Sequence, residues 1–374
     1  MEEKQMRTWA EIDLGALEEN YRALRGLLPA GCRFLGVVKA NAYGHGAVPA
    51  ARRLEALGAE YLAAACLDEA AELREAGISA PILVLGPIPV EQAGEAAAQN
   101  VTATVCHWEN ARALSAAAVA AGRTLKIHLK ADTGMSRLGL VCDHAHLSAA
   151  VEEMAAIAAL PGLEVEGVFT HFADADGDEA FTMLQLQRFQ ALLEGLRDRG
   201  IVPAIRHCAG SAATLKYPAA YLDMVRPGIA LYGHYPDPSC KGPGSPVLRP
   251  VMRLCTRVVD VRTVPAGATV SYGRTARLER ETRLAVLPIG YGDGLFRCLS
   301  NRGRITIRGV PRTITGRVCM DLCMVPAGED VQVGDVAEVY GPSQPVEEAA
   351  ALAGTISYEL LTAVGRRVPR VYLG

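Results

Sequence analysis

The 374-residue sequence is poor in aromatics, at 5%, and nearly balanced in charge, with 38 Lys and Arg against 41 Asp and Glu. A formal net charge of −3 gives no basic field for polyanions, so nucleic acid and anionic membrane surfaces are not expected partners. No apolar run approaches the ~20 residues needed to cross a bilayer. The opening stretch carries Glu2, Glu3, Lys4, Glu11 and Asp13 where a secretory signal would be unbroken apolar chain. The ten cysteines are scattered and not spaced as a framework, which fits thiols in a reducing compartment. These absences predict a cytoplasmic protein. What is abundant is apolar material: 50% of residues are hydrophobic and 21% charged, which excludes disorder and predicts a core of Ala, Val, Leu and Ile.

Between Phe34 and Gly233 a short β-rich apolar run followed by an Ala/Leu/Glu-rich stretch recurs. The runs lie at residues 34–40, 60–66, 82–86, 101–106, 126–132, 165–171, 204–210 and 224–233. Helical stretches between them break at Gly58, Gly77 and Gly122. Eight such units predict a (β/α)8 barrel over residues 12–242. A doubly wound sheet is disfavoured because no G-x-G-x-x-G opens a helix after the first strand. Five prolines within residues 235–250 mark a connector. Residues 243–374 then lose helical periodicity and read as a mostly antiparallel β domain, with strands expected at 258–264, 284–289, 304–307, 312–314 and 336–340 and helices at 346–353 and 358–364. Residues 1–11 are expected to pack with it.

In a barrel of this kind the carboxyl ends of the strands face the active site. Lys39 follows Gly36, Val37 and Val38, so a cation ends an apolar strand, where desolvation would lower its pKa and free its amine. A lysine snorkelling to the rim is the competing reading. After the seventh and eighth strands come Gly210-Ser211 and Arg226-Pro227-Gly228, whose glycines allow close approach of backbone N–H groups to an anion and whose serine can donate. A strand-end lysine opposite a phosphate cradle points to pyridoxal phosphate chemistry.

Residues 37–46, VVKANAYGHG, resemble the cofactor-lysine signature of the alanine racemases, a family of pyridoxal phosphate enzymes. The resemblance extends through WAEID at 9–13, KADTGMSR at 130–137, THFA at 170–173, RPGIALYG at 226–233, SYG at 271–273, GYGDG at 290–294, GRVCMD at 316–321, ISYE at 356–359 and RVPRVY at 367–372. It implies interconversion of L- and D-alanine on pyridoxal 5′-phosphate, a homodimer with shared active sites, and supply of D-alanine for cell-wall peptidoglycan.

By that resemblance Lys39 holds the cofactor and acts as one of two bases, with Tyr272, from the neighbouring subunit, as the other. Tyr43, Ser211, Gly228, Ile229 and Tyr358 would surround the phosphate, and Arg226 would face the pyridine nitrogen. A guanidinium only donates, so that nitrogen would stay unprotonated and the ring a weak electron sink. His171, with Arg226 behind it, would assist Tyr272. Arg137 and the backbone N–H of Met320 would take the substrate carboxylate, Asp321 would close the pocket floor, and His207 would support His171. Lys130 corresponds to a position carbamylated in some members; an ammonium so close to Arg137 calls for a carbamate, a carboxylate such as Asp132, or an anion. The chain departs from the family at Gly210, where asparagine is common, which bears on cofactor affinity.

A racemase for serine or for several amino acids is the nearest alternative, decided by pocket size at Tyr358 and Tyr291. A decarboxylase would not need a tyrosine opposing the lysine, and a non-catalytic pyridoxal phosphate carrier would not need the β domain. No metal is expected: Asp174, Asp176 and Asp178 alternate like a calcium loop, but Gly177 is misplaced and the twelfth position is Gln185. Cys319 with Cys323 and His144 with His146 lack a ligand set.

Overall fold

The computed structural model describes residues 6–374. They form two compact units: one gathers the chain up to Leu17, Tyr43–Gly46 and Arg249–Gly374, the other Glu18–Ala42 and Ala47–Leu248.

The larger unit is a parallel (β/α)8 barrel. The first strand of the chain, β1 (Thr8–Asp13), belongs to the other unit, and the barrel begins with β2 (Arg33–Val37). It continues through β3 (Tyr61–Ala64), β4 (Ile82–Val84), β5 (Val101–Val105), β6 (Leu125–Asp132), a short β7 (Leu140–Val141) paired to β6, β8 (Leu163–Phe169), β9 (Ile205–His207) and β10 (Met224–Val225). Neighbours follow the order β10-β2-β3-β4-β5-β6-β8-β9. Backbone bonds from Arg226 N to Ala209 O at 2.8 Å and from Asp223 N to Arg206 O at 3.1 Å bring the two ends of that order together. All eight predicted runs hold a strand. The eighth is shorter than expected: Pro227 has no N–H to extend the ladder, and Ile229–Tyr232 turns into a 3₁₀ helix.

Strand β6 shows how the barrel separates packing from chemistry. Leu125, Ile127, Leu129 and Ala131 occupy one face and are fully buried. The alternate positions are Lys126, His128, Lys130 and Asp132, so a period of two lines up four polar residues on the other face. The helices are fixed at their ends by local chemistry. Asp178 accepts from Phe181 N at 2.9 Å to cap Glu179–Asp198, and Gly58 follows Ala47–Ala56 with φ +89, a left-handed stop that suits a residue without a Cβ.

In the smaller unit β11 (Met252–Arg257), β16 (Arg304–Ile307), β17 (Val310–Thr313), β19 (Val336–Tyr340) and β20 (Arg370–Leu373) join β1 in a six-stranded sheet. Its order is β17-β16-β19-β11-β1-β20. All its pairings are antiparallel except β1 with β20. A second sheet joins β12 (Asp260–Val264), β15 (Thr282–Leu287) and β18 (Cys323–Pro326), and a hairpin joins β13 (Thr269–Val270) to β14 (Ala276–Arg277). The strand expected at 258–264 is β12, which begins at Asp260; β11 precedes it unpredicted, and the chain passes from one sheet to the other at Val258–Val259, where Val258 N bonds Asp335 O beside β19 and Val259 N bonds Val286 O of β15. Of the segment 1–11, residues 1–5 lie outside those described.

Candidate active site

On the barrel unit Lys39 stands two residues past β2, half-buried, at the head of an unusual turn. Ala40, Asn41, Ala42 and Tyr43 have φ of 51, 53, 53 and 54°, one left-handed turn built without glycine. Each such residue costs ~1–2 kcal/mol, so the turn stores several kcal/mol that its surroundings must offset. Glu69 contributes by accepting from Ala40 N at 2.7 Å and Ala65 N at 2.8 Å, and Asn41 Oδ1 by accepting from Ala47 N at 2.8 Å. Burial lowers the pKa of Lys39, Arg137 lowers it further, and Glu69 offsets part of this. Among the described residues its amine makes no hydrogen bond or ion pair.

Arg226, just past β10, is fully enclosed, and burial lowers its pKa to about 10. Its Nη1 meets His207 Nδ1 at 2.8 Å and its Nη2 meets His171 Nδ1 at 3.0 Å; Nη2 also donates to Thr170 O and Cys208 O. These bonds leave Nε. Both histidines are held well below the usual imidazole range, by burial first and by Arg226 next. Since a guanidinium only donates, each histidine accepts at Nδ1 and carries its proton on Nε2.

Lys130, on β6, is buried with its Nζ 4.3 Å from the Phe169 ring centre, and the Arg226 guanidinium lies 5.4 Å from the same ring. Burial, then Arg226 and Arg137, push the Lys130 pKa well down. Asp132 forms no ion pair with it among the described residues; its Oδ1 instead accepts from the backbone of Gly134, Met135 and Ser136 at 2.9–3.0 Å and shapes the loop leading to the exposed Arg137.

Ser211 opens the short helix Ser211–Lys216, and its Oγ accepts from Gly228 N at 2.9 Å and Ala230 N at 3.3 Å. With its oxygen so engaged, the hydroxyl proton is available to an outside acceptor. The first-turn amides of this helix and of Ile229–Tyr232 have no intrahelical acceptors. Gly210 caps the helix without a side chain, and a Cβ there would lie 3.1 Å from His171 Cε1.

The smaller unit carries the remaining predicted residues. Tyr43 and Tyr358 pack with ring centres 6.0 Å apart, and burial raises the Tyr43 pKa to about 12. Tyr272 is 72% exposed. It is flanked by Ser271 at φ +64, Gly273 at +67 and Arg274 at +53, a strained turn held by Ser271 Oγ donating to Arg317 O at 2.7 Å. Met320 is exposed, and its carbonyl accepts from Gly292 N at 2.9 Å and Arg367 Nη2 at 3.3 Å. Arg367 also pairs with Asp321 at 2.8 Å and with the buried Asp293 at 2.8 Å, which Arg7 reaches at 2.7 Å.

Thus His171, His207, Arg226 and Lys130 come together on the barrel, Ser211 joins Gly228 beside them in sequence, and Met320 joins Asp321 on the β unit. The Tyr272 turn meets the segment leading to Met320, with Ser271 Oγ 2.7 Å from Arg317 O and 3.3 Å from Cys319 Sγ. Sequence reasoning passed over Glu69, His128, Glu166, Phe169, Asp293 and Arg367; the alternation of polar residues along β6 was a readable signal for His128. The acidic run near residue 176 serves the backbone, with Asp174 Oδ1 accepting from Gly177 N at 3.0 Å. Among the described residues no three His, Cys, Asp or Glu side chains group as a metal site, and no helix is long and apolar enough to cross a membrane.

Family models for the alanine racemase N-terminal domain and the alanine racemase C-terminal domain match residues 12–236 and 251–372. The chain is 46% identical to an alanine racemase of Desulforamulus reducens, over 98% of this chain and 99% of that protein. It resembles the solved alanine racemase of Clostridium difficile 630 with a TM-score of 0.94 and 37% identity, covering 99% of this chain and 96% of that one. The alanine racemase from Bacillus anthracis with bound L-Ala-P gives a TM-score of 0.90 at 37% identity, covering 98% and 95%.

Proposed function

The chain belongs to the alanine racemase family, and from that premise we propose that it interconverts L- and D-alanine on pyridoxal 5′-phosphate, with Lys39 and Tyr272 as the two bases. The barrel's own atoms fit that cofactor. Ser211 has a proton to donate beside amides without intrahelical acceptors, Arg226 has Nε left over, and the Lys39 amine is unbonded and depressed. When bound, the cofactor supplies an aldehyde that condenses with amines and a ring that withdraws electrons from the α-carbon. Ser211, Gly228 and Ile229, with Tyr43 and Tyr358, would hold the phosphate.

The observation that carries the reading is the state of Lys39. Its amine ends an apolar strand, and burial and Arg137 favour the neutral form, the form that takes a proton. Arg226 offers a donor and keeps its own proton near neutrality, so a ring nitrogen set against it would have to accept, which would restrain electron withdrawal and favour return of the proton to the α-carbon.

A proton delivered to the opposite face needs a second base. His171, accepting from Arg226 at Nδ1, has its Nε2–H to give, and a phenol oxygen receiving that bond becomes easier to ionise. Tyr272, exposed on a strained turn, fits that role as part of a second subunit's contribution to a homodimer with shared sites. Arg137 and the Met320 amide would orient the alanine carboxylate, with Asp321 beside them. Burial, Arg226 and Arg137 push the Lys130 pKa well down and so favour its free amine, the form that would add carbon dioxide to give a carbamate and a proton; that anion would balance Arg137. Cytoplasmic residence and supply of D-alanine to peptidoglycan accompany this reading.

The test is formation of D-enantiomer from an L-amino-acid panel by cofactor-loaded enzyme, followed by chiral chromatography. Alanine should turn over, Lys39→Ala and Tyr272→Phe should each be inactive, and mixing the two variants should restore activity through one intact site per dimer. Serine turnover equal to alanine would favour the broad-specificity reading. Failure of borohydride to fix the cofactor to Lys39, together with unchanged L-alanine, would sink the proposal.

A further inference from the structure

Arg226 is a buried cation with no carboxylate bonded to it among the described residues, an expensive arrangement unless its charge is answered elsewhere. The answer runs through two histidines. His207 Nδ1 meets Arg226 Nη1 at 2.8 Å, His207 Nε2 lies 2.8 Å from His128 Nδ1, and His128 Nε2 lies 3.3 Å from Glu166 Oε2. The guanidinium must donate, so His207 accepts at Nδ1 and donates from Nε2; His128 then accepts at Nδ1 and donates from Nε2 to the carboxylate. Both rings are wholly buried, and burial keeps both on the neutral side. Only this direction satisfies every nitrogen, since reversal would set an N–H of His207 against an N–H of Arg226.

The backbone is built around this line. In the parallel ladder of β6 and β8, Ile127 faces Val165 but His128 faces Gly167, so Glu166 is the extra residue of a bulge, a rare device in parallel pairs. A Cβ on Gly167 would fall 2.7–2.8 Å from three atoms of the His128 ring. Phe169 stacks on His207 with centres 4.8 Å apart and planes 5° apart. Glu166 also accepts from Lys126 at 3.0 Å and Thr102 at 3.1 Å. Burial raises its pKa, but bonds from His128 and Lys126 outweigh this and hold it at about 2, a carboxylate throughout the working range.

We propose that Glu166 and His128 are positioning residues for racemisation, acting through His207 to fix the orientation of the Arg226 guanidinium and supplying its distant counter-charge. The role rests on the reading of Arg226 given above, but the tautomers do not. In ¹⁵N spectra of the cofactor-free wild-type protein, His128 and His207 should each show a single Nε2-protonated tautomer. Glu166→Gln, whose amide can accept or donate, should give mixed tautomers and lower kcat about tenfold, the effect of ~1.4 kcal/mol, with KM for alanine little changed; Glu166→Asp should recover part of kcat. An Nδ1-protonated His207 in the wild type overturns the proposal without any variant. So does a Glu166→Gln protein with wild-type kcat. Correct tautomers in an enzyme that leaves alanine unchanged would instead refute the proposed function and leave the wire in place.

Discussion

Replacing Gly167 by alanine separates two opposing effects cleanly. Gly167 does not adopt a positive φ, so loss of chain entropy in the unfolded state alone would make Gly167→Ala stabilising by ~0.4–1 kcal/mol. Space says the reverse. The new methyl would approach Cε1, Nδ1 and Nε2 of His128 to 2.7–2.8 Å, and the ring cannot retreat without stretching its bonds to His207 and Glu166 at 2.8 and 3.3 Å. Overpacking of a tight interior costs ~1–3 kcal/mol, and weakening a buried bond to a charged partner adds ~1–2 kcal/mol. The net expectation is a loss of ~2–4 kcal/mol, a large share of the ~5–15 kcal/mol typical of a domain. Urea unfolding of the cofactor-free protein, followed by circular dichroism, measures it. Gly94→Ala is the control: within the helix Ala93–Ala98 its methyl would meet only Ala121 Cβ at 3.4 Å, so stability should rise by ~0.5–1 kcal/mol. If Gly167→Ala moves the midpoint upward as the control does, the packing around His128 has been misjudged.

Acid should unfold the cofactor-free protein early. His128, His171 and His207 are all held below the ordinary imidazole pKa by burial, so below pH ~6.5 the unfolded chain binds protons that the folded one refuses, and stability falls as pH falls, by up to ~1.4 kcal/mol per pH unit for each histidine. A urea midpoint unchanged between pH 7.5 and 5.5 would contradict this. Lys130→Met keeps the bulk of the side chain and removes a buried amine, so the melting temperature of the cofactor-free enzyme should rise, by the equivalent of ~1–3 kcal/mol, while racemisation drops; a variant that is less stable would argue that the amine has a partner. Asp293→Asn withdraws the charge that draws Arg7 and Arg367 together, and should raise KM for alanine roughly threefold to tenfold through the Met320 loop, with kcat less affected. Steady-state kinetics showing the opposite split would disconnect that network from substrate binding.

The barrel was legible because strands buried on both faces read as apolar runs between helical stretches, and polar residues at or just past the ends of some of them, Lys39, Ser211 and Arg226, marked the mouth. The histidine line was only partly legible: the polar alternation of β6 carries a signal for His128, but Glu166 lies inside β8 with nothing in the sequence to pair the two. Nothing in a single sequence signals a bulge in a parallel ladder. The left-handed turn after Lys39 was equally hidden: Ala40-Asn41-Ala42 has the composition of an ordinary right-handed helix, and its hand is supported by bonds to Glu69, 29 residues on from Ala40, and to the nearby Ala47. In the β unit Val346–Ala353 and Val336–Tyr340 fall where periodicity put them, whereas β11, β18, β20 and the two-residue strands of the hairpin were not expected; only for the hairpin is the run too short to carry a pattern. Tyr272 was recognisable by its motif, but its exposure and the strain around it are properties of the turn alone.

The electrostatics of the barrel mouth supply the last step. Burial first, and then the basic groups Arg226, Lys130, Arg137 and Lys39, depress His171, in a chain whose net charge is −3. Two carboxylates that could neutralise them are committed elsewhere: Asp132 to the amides of its loop, Glu166 to the far end of the histidine line. Crowding basic groups lowers the proton affinity of each at a cost in stability, a cost that an anion bound among them would relieve. A phosphate ester and an amino-acid carboxylate are anions of the right kind, and they would raise the very pKa values that the cofactor-free site depresses. Under the proposed function, burial and Arg137 depress the Lys39 pKa before loading, and bound anions would stabilise the same arginines afterwards, so the two states would be tuned in opposite senses.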